Sequence, residues 1–168
     1  MLTEEQKRQR VMISQQLLEH FRRDPRAFTA HIVTQDETWV HHFDPETKSQ
    51  SMQWKHVTSP TPKKFKSISS SGKVMTSIFW DSAGDNAPVH TAQVAVSAAH
   101  ECGFKILPHP AYSPDLAPSD FFLFPQLKSV LRGRRFGTNE EVITAVEELL
   151  GSRDKQWFSD GLNMLEKR

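Results

Sequence analysis

Three aspartates stand where predicted strands or turns end: Asp36, Asp85 and Asp120. Carboxylates that converge from different strands can hold Mg²⁺ or Mn²⁺, because these ions prefer hard oxygen ligands. Two such ions support phosphoryl transfer, since one activates the attacking water or 3′-hydroxyl and the other stabilises the leaving oxygen. On spacing alone, the favoured interpretation is that the three are ordinary turn and cap residues among 20 acidic side chains.

The first half of the chain predicts a helix and two strands around Asp36. The segment Thr3–Gln6 has the form of a capping box, and recurring apolar residues after it predict an amphipathic helix that ends near Asp24-Pro25. A strand is predicted over residues 30–40, with Asp36 near its end. The segment Val74–Trp80 is apolar on both faces, which is typical of a central strand.

The second half predicts a helix marked by Ala95, Ala98, Ala99 and Cys102 and closed by Gly103, then a strand at Phe104–Leu107 and a helical last third. Pro125 suits a first helical turn, and Gly133 should end that helix. Its buried side is expected to carry three apolar residues, Leu127, Val130 and Leu131.

The composition limits the class of protein. With 21 basic and 20 acidic residues, the chain is not basic enough to hold nucleic acid by bulk charge, so any phosphate binding must come from local patches. Cys102 is the only cysteine, which excludes a disulfide framework and a four-thiolate zinc site. Because no apolar run approaches the roughly 20 residues that a span needs, a membrane protein is excluded.

Two short basic segments are candidate phosphate contacts. The first surrounds Phe65 in a loop, and the second flanks Gly133 after a predicted helix. The candidate DNA-binding residues are Lys63, Lys64, Lys66, Arg132, Arg134 and Arg135. Loops also carry such residues by chance, so a solvated surface is the alternative interpretation.

The segments around the three aspartates resemble those of mariner-family DNA transposases. They are Val33–Trp39, Asp85–Ala92 and Tyr112–Asp120, with 34 residues between the last two aspartates. The resemblance covers nearly the whole chain. It implies an α/β, RNase H-like fold with a five-stranded mixed sheet flanked by helices. It also implies cut-and-paste DNA chemistry, with Asp36, Asp85 and Asp120 as ligands of two Mg²⁺ or Mn²⁺ ions.

The resemblance also implies roles for other segments. It divides the chain into a linker helix at 1–29 and a catalytic domain at 30–168. The loop over residues 40–73 resembles a clamp that contacts DNA and a partner subunit, so it implies a possible homodimer. His90 belongs to a family phrase, but a helix-start role is favoured over a metal ligand. A nuclear location follows from the family and from the weakly basic segment Pro62–Lys66.

One further group of residues could suggest a metal site outside the aspartates. His41, His42 and Asp44 lie close together in sequence. Their spacing fits a loop better than a metal site, so the structural interpretation is favoured.

The chain departs from the family in two ways. It starts at the linker helix, so the helix-turn-helix pair and its sequence-specific end binding are expected to be absent. Only 48 residues separate Asp36 from Asp85, fewer than the family has. A parallel strand needs a crossover of about a dozen residues or more, and only Asp81–Gly84 stand between the Trp80 strand and Asp85. We therefore expect that a crossover helix and the strand before Asp85 have been lost near 84–85.

These observations predict a remnant of a cut-and-paste transposase that is catalytically inactive. One alternative is a non-catalytic module that binds DNA weakly and non-specifically or associates with itself. Another is a nuclease in which the three carboxylates still gather two metal ions. The third alternative is an open reading frame without a selected function.

Overall fold

The computed structural model describes residues 2–52, 56, 58–59, 68–85, 105 and 107–168, with the backbone alone at Asp85. In chain order its elements are α1 (Glu4–Arg23), α2 (Pro25–His31), β1 (Thr34–His41), β2 (Lys73–Asp81), β3 (Gly84–Asp85), a 3₁₀ turn (Pro114–Leu116), a π-helical turn (Ser119–Leu123), α3 (Phe124–Leu131), α4 (Asn139–Gly151), α5 (Lys155–Asn163) and a final 3₁₀ turn (Met164–Lys167). Within these ranges, no helix is long and apolar enough to cross a membrane.

Two helices precede the first strand. The predicted capping box is confirmed, because Thr3 and Gln6 each accept the other's backbone N–H. Asp24 ends α1 and also caps α2, whose first residue is Pro25. The strand predicted over residues 30–40 is therefore wrong at its start. The chain is helical to His31, and Asp36 lies near the beginning of β1 rather than near its end.

The described sheet has three antiparallel strands in the order β1-β2-β3. Its register pairs Thr34 with Trp80 and Asp36 with Ile78. The prediction that β2 is central is confirmed in this sheet. Lys105 and Leu107 do not lie in a strand. The rest of the predicted strand at 104–107 lies outside the described residues, and so does the predicted helix that Gly103 closes.

A tight turn joins β2 to β3. The Asp81 carboxylate accepts the backbone N–H groups of Ala83 at 2.6 Å and of Gly84 at 3.1 Å. Gly84 has φ +144°, a conformation that a side chain would disfavour. The turn folds Gly84 and Asp85 back onto β2 as the two-residue antiparallel strand β3, which is not the apolar parallel strand whose loss we expect.

The core lies between one face of the sheet and helices α3, α4 and α5. Trp80 is fully buried and contacts the rings of Phe122 and Phe158. The largest completely buried apolar side chains are Trp80, Leu123, Leu127, Leu162 and Val142. The core thus packs on the face of the sheet that carries Trp80 and Ile78 in β2 and Asp36 in β1.

Helix α3 begins close to Pro125 and is followed by Gly133 with φ +81°, as predicted. Leu127 and Leu131 are buried, but Val130 is 43% exposed. The prediction for Val130 is wrong because the buried stripe of this short helix is narrower than the apolar pattern suggests.

Candidate functional site

Asp36 lies on the core-facing side of β1. Side chains alternate along a strand, and both Thr38 and Val40, at the same phase, are buried. One carboxylate oxygen of Asp36 accepts the backbone N–H of Glu37 at 2.8 Å. The strand therefore places Asp36 beside the elements that cover this face.

Asp120 lies on the π-helical turn that leads into α3. The preceding residue, Ser119, is fully buried, and its hydroxyl accepts the indole N–H of Trp80 at 3.0 Å. This bond ties the turn to β2, and hence positions Asp120 relative to the strand that pairs with Asp36. π-helical turns are rare and occur frequently at functional sites.

The structure brings Asp36 and Asp120 together. Partial loss of hydration at its carboxyl group raises the pKa of Asp120, although the residue as a whole is exposed, and the negative charge of Asp36 raises it further. Lys128 and His109 oppose this shift, whereas a hydrogen bond between the two carboxyl groups adds to it. Two carboxyl groups in this arrangement favour a bound cation or a shared proton.

Asp85 lies on the other side of β2. Its backbone pairs with Trp80, so β2 separates β3 from β1. Neighbouring strands are about 4.8 Å apart, which puts β3 roughly 10 Å from β1. The family resemblance instead implies a second aspartate that follows a direct, parallel neighbour of β1.

The described side chains can be checked for a site that would hold two metal ions. In the part of the chain that the structure describes, no group of three or more His, Cys, Asp or Glu side chains could hold a metal ion. Asp36 and Asp120 are two of the three carboxylates that the resemblance implies as metal ligands. The backbone of the third, Asp85, lies in β3, one strand farther from Asp36.

The turn before Asp120 is anchored to α1. Arg10 forms a bidentate pair with Asp115, and its Nη1 atom also donates to the hydroxyl of Ser113 at 3.2 Å. The hydrogen bond from Arg10 holds the pKa of Asp115 below its usual range, and the positive charge of Arg10 contributes in the same direction. Helix α1 thus contacts the segment that delivers Asp120.

Residues 132–135, here called the arginine loop, are exposed. The backbone N–H of Gly133 donates to the carbonyl of Asp44 at 2.7 Å, and Phe43 forms a β-bridge with Arg135. The Arg135 guanidinium lies 4.1 Å from the ring centroid of Phe43. The guanidinium of Arg134 lies 5.3 Å from the ring of Phe136. This stacking leaves the donor edges of both guanidinium groups available to a phosphate.

The sequence did not indicate that residues 41–44 brace the arginine loop. His41 bonds to the carbonyl of Ser70 and His42 to the side chain of Asn139, both at 2.8 Å, and the hydroxyl of Ser69 donates to Asp44. These partners agree with the structural interpretation of the segment. Lys63, Lys64, Lys66 and His90 lie outside the described residues.

The geometry can be compared with known proteins. Residues 44–85 match a family model described as "Transposase (partial DDE domain)". The chain is 29% identical over 214 residues to the human histone-lysine N-methyltransferase SETMAR and 26% identical over 216 residues to the Mariner Mos1 transposase of Drosophila mauritiana. Each match takes in 99% of this chain, which spans 30% and 61% of the two relatives.

The Mos1 transposase paired-end complex with left transposon end superimposes with a TM-score of 0.80 at 26% identity, covering 100% of this chain and 61% of that one. This chain is similar to a mariner-family DNA transposase over nearly its whole length. The isolated Mos1 catalytic domain is also similar, so the fold of this chain is RNase H-like. Other Mos1 structures with Mn and with Mg match as well.

The matches with the two curated relatives also bear on the length of this chain. Both matches are longer than the 168-residue chain, by 46 and 48 positions. Each relative therefore has residues that lack a counterpart here.

Proposed function

We propose that this mariner-family domain binds DNA non-specifically through exposed cations and no longer cleaves it. The observation that carries the loss of cleavage is the β2–β3 hairpin, which places Asp85 on the far side of β2 from Asp36. An error of about 1 Å in such an arrangement can cost a hundredfold in rate, and a whole extra strand lies between these residues. Asp85 would therefore act apart from the Asp36–Asp120 pair.

The arginine loop supports retained DNA binding. Its arginines are exposed, and two of them are held on aromatic rings, so little conformational entropy is lost when they meet a phosphate. The matched Mos1 complex contains a transposon end, and the similarity covers the whole of this chain. With a formal net charge of +1, such binding should be weak and strongly dependent on salt.

The DNA-binding part is tested with a fluorescent duplex titrated at several salt concentrations. Arg134→Ala with Arg135→Ala should weaken binding and reduce the salt slope by about one for each lost phosphate contact. Asp36→Ala is the matched control and should bind as the parent does. Equal binding by the double arginine variant and the parent would overturn the proposed role of the loop.

The Asp36–Asp120 pair favours a second candidate function, a surviving metal-dependent nuclease. Nicking of a supercoiled plasmid with Mn²⁺ separates the two candidates. The proposal expects no nicking above that of an Asp120→Ala preparation. Nicking that disappears in Asp120→Ala would establish the nuclease instead, and nicking that persists in it would come from a contaminant.

A thermal melt tests the carboxylate site without relying on activity. A ligand that binds only the folded state at a hundred times its dissociation constant adds about 2.7 kcal/mol to stability. We expect millimolar Mn²⁺ to raise the melting temperature of neither the parent nor Asp36→Asn. A rise confined to the parent would show that the site still binds metal.

Two further elements of the proposal concern assembly and location. Self-association through the loop at 40–73 would follow from the family resemblance, and sedimentation of the parent against a loop variant tests it. A nuclear location is expected from the same resemblance, and imaging of a tagged chain tests it.

A further inference from the structure

Tyr112, the only tyrosine of the chain, has an unusual backbone and an unusual exposure. Its φ of +56° makes it the one described residue other than glycine in the left-handed region. Its side chain is 76% exposed. Bulky residues rarely adopt this conformation, and they keep it only where the surrounding structure imposes it.

The residues around Tyr112 impose that conformation. Pro110 and Ser113 are buried on either side of it. The hydroxyl of Ser113 donates to the carbonyl of Ala111 and accepts from Arg10, both at 3.2 Å, while Arg10 also binds Asp115. With its flanks fixed in this way, the turn holds the aromatic ring out into solvent.

This turn borders the carboxyl pair. The 3₁₀ turn Pro114–Leu116 follows directly, and the backbone N–H of Phe121, next to Asp120, donates to the carbonyl of Ala117 at 3.1 Å. Asp36 and Asp120 repel phosphates, so DNA near them is best contacted through its uncharged parts. Aromatic rings bind unpaired bases by stacking, which is tolerant of sequence because every base has a flat face.

We propose that Tyr112 is a stacking platform for an unpaired DNA base beside the Asp36–Asp120 pair. The inference rests on the proposed DNA binding and adds a ligand class, a single-stranded base, to the phosphate contacts of the arginine loop. The conformational strain at Tyr112 keeps the ring presented before DNA arrives.

Tyr112→Gly tests the proposal, because glycine relieves the backbone strain while it removes the ring. Against a fluorescent oligothymidylate, we expect Tyr112→Gly to bind about five- to tenfold more weakly, the lower part of the range for loss of one stacked base. Tyr112→Phe keeps the ring and should bind as the parent does. The melting temperature of Tyr112→Gly should equal or exceed that of the parent.

The outcomes separate this inference from the proposed function. Unchanged oligothymidylate affinity in Tyr112→Gly, or a parallel fall in its melting temperature, would overturn the stacking role. A parent that binds neither duplex nor single strand would overturn the DNA-binding proposal itself. Photo-crosslinking of an oligonucleotide containing 5-iododeoxyuridine should label the peptide with Tyr112, and labelling confined to other peptides would contradict the inference.

Discussion

Removing the hydroxyl of Ser119 should destabilise the protein through Trp80. Both residues are fully buried, and the indole N–H has a 3.0 Å bond to that hydroxyl. Ser119→Ala leaves this donor buried without an acceptor, which costs about 1–3 kcal/mol. For a chain of this size, each kcal/mol corresponds to roughly 2–4 °C in melting temperature. The midpoint of urea unfolding, followed by tryptophan fluorescence, measures the change.

A double-mutant cycle isolates the hydrogen bond from the loss of packing. In a Trp80→Phe background there is no indole donor, so Ser119→Ala should then cost less than about 1 kcal/mol. Ser129→Ala, at an exposed position on α3, is the matched control and should be nearly neutral. An equal cost of Ser119→Ala with and without the indole would refute the reasoning. It would also remove the physical basis for the placement of the turn that carries Asp120.

Two other predictions concern packing and pH. Gly161→Ala would place a Cβ 2.4 Å from Cδ1 of Phe122 and should cost about 1–3 kcal/mol in urea unfolding. Gly151→Ala is the control, since a Cβ there meets nothing within 4 Å and should not destabilise the protein. The reverse order of stabilities would contradict the packing. Arg10 lowers the folded-state pKa of Asp115, so this pair stabilises the fold above the unfolded-state pKa of about 3.9. This stabilisation is lost as the pH falls through the lower, folded-state pKa. Arg10→Met should therefore lower the melting temperature at pH 7 by an amount worth under about 1 kcal/mol, since the pair is partly exposed. The deficit should shrink as the pH falls through the folded-state pKa of Asp115, and a deficit independent of pH would argue against the ion pair.

Local patterns predicted the elements whose signals lie within a few residues. The capping box at Thr3, the central strand β2 and the positive φ at Gly133 all follow from neighbouring side chains. Helix α2 was missed because Asp24-Pro25 is equally able to end one helix and to start another. The β2–β3 hairpin did not follow from the sequence, because the family resemblance implies a parallel strand here whereas the Asp81 carboxylate accepts two backbone N–H groups and turns the chain back.

The candidate site depends on contacts that a single sequence does not show. The bond between Trp80 and Ser119 spans 39 residues, and it positions the turn on which Asp120 lies. The pairing of Arg135 with Phe43 joins segments that are still farther apart in sequence. Such contacts depend on the packed tertiary structure, so the motifs indicated which residues matter and the fold determined which of them meet.

Helix α1 has 20 residues, and none of them is buried. Its amide protons should therefore exchange with solvent through a local opening that costs far less than unfolding of the whole domain. The amides around Trp80 and Val142, whose side chains are fully buried, should exchange only when the whole core opens. The domain would then consist of two regions of unequal stability, which the Arg10–Asp115 pair connects.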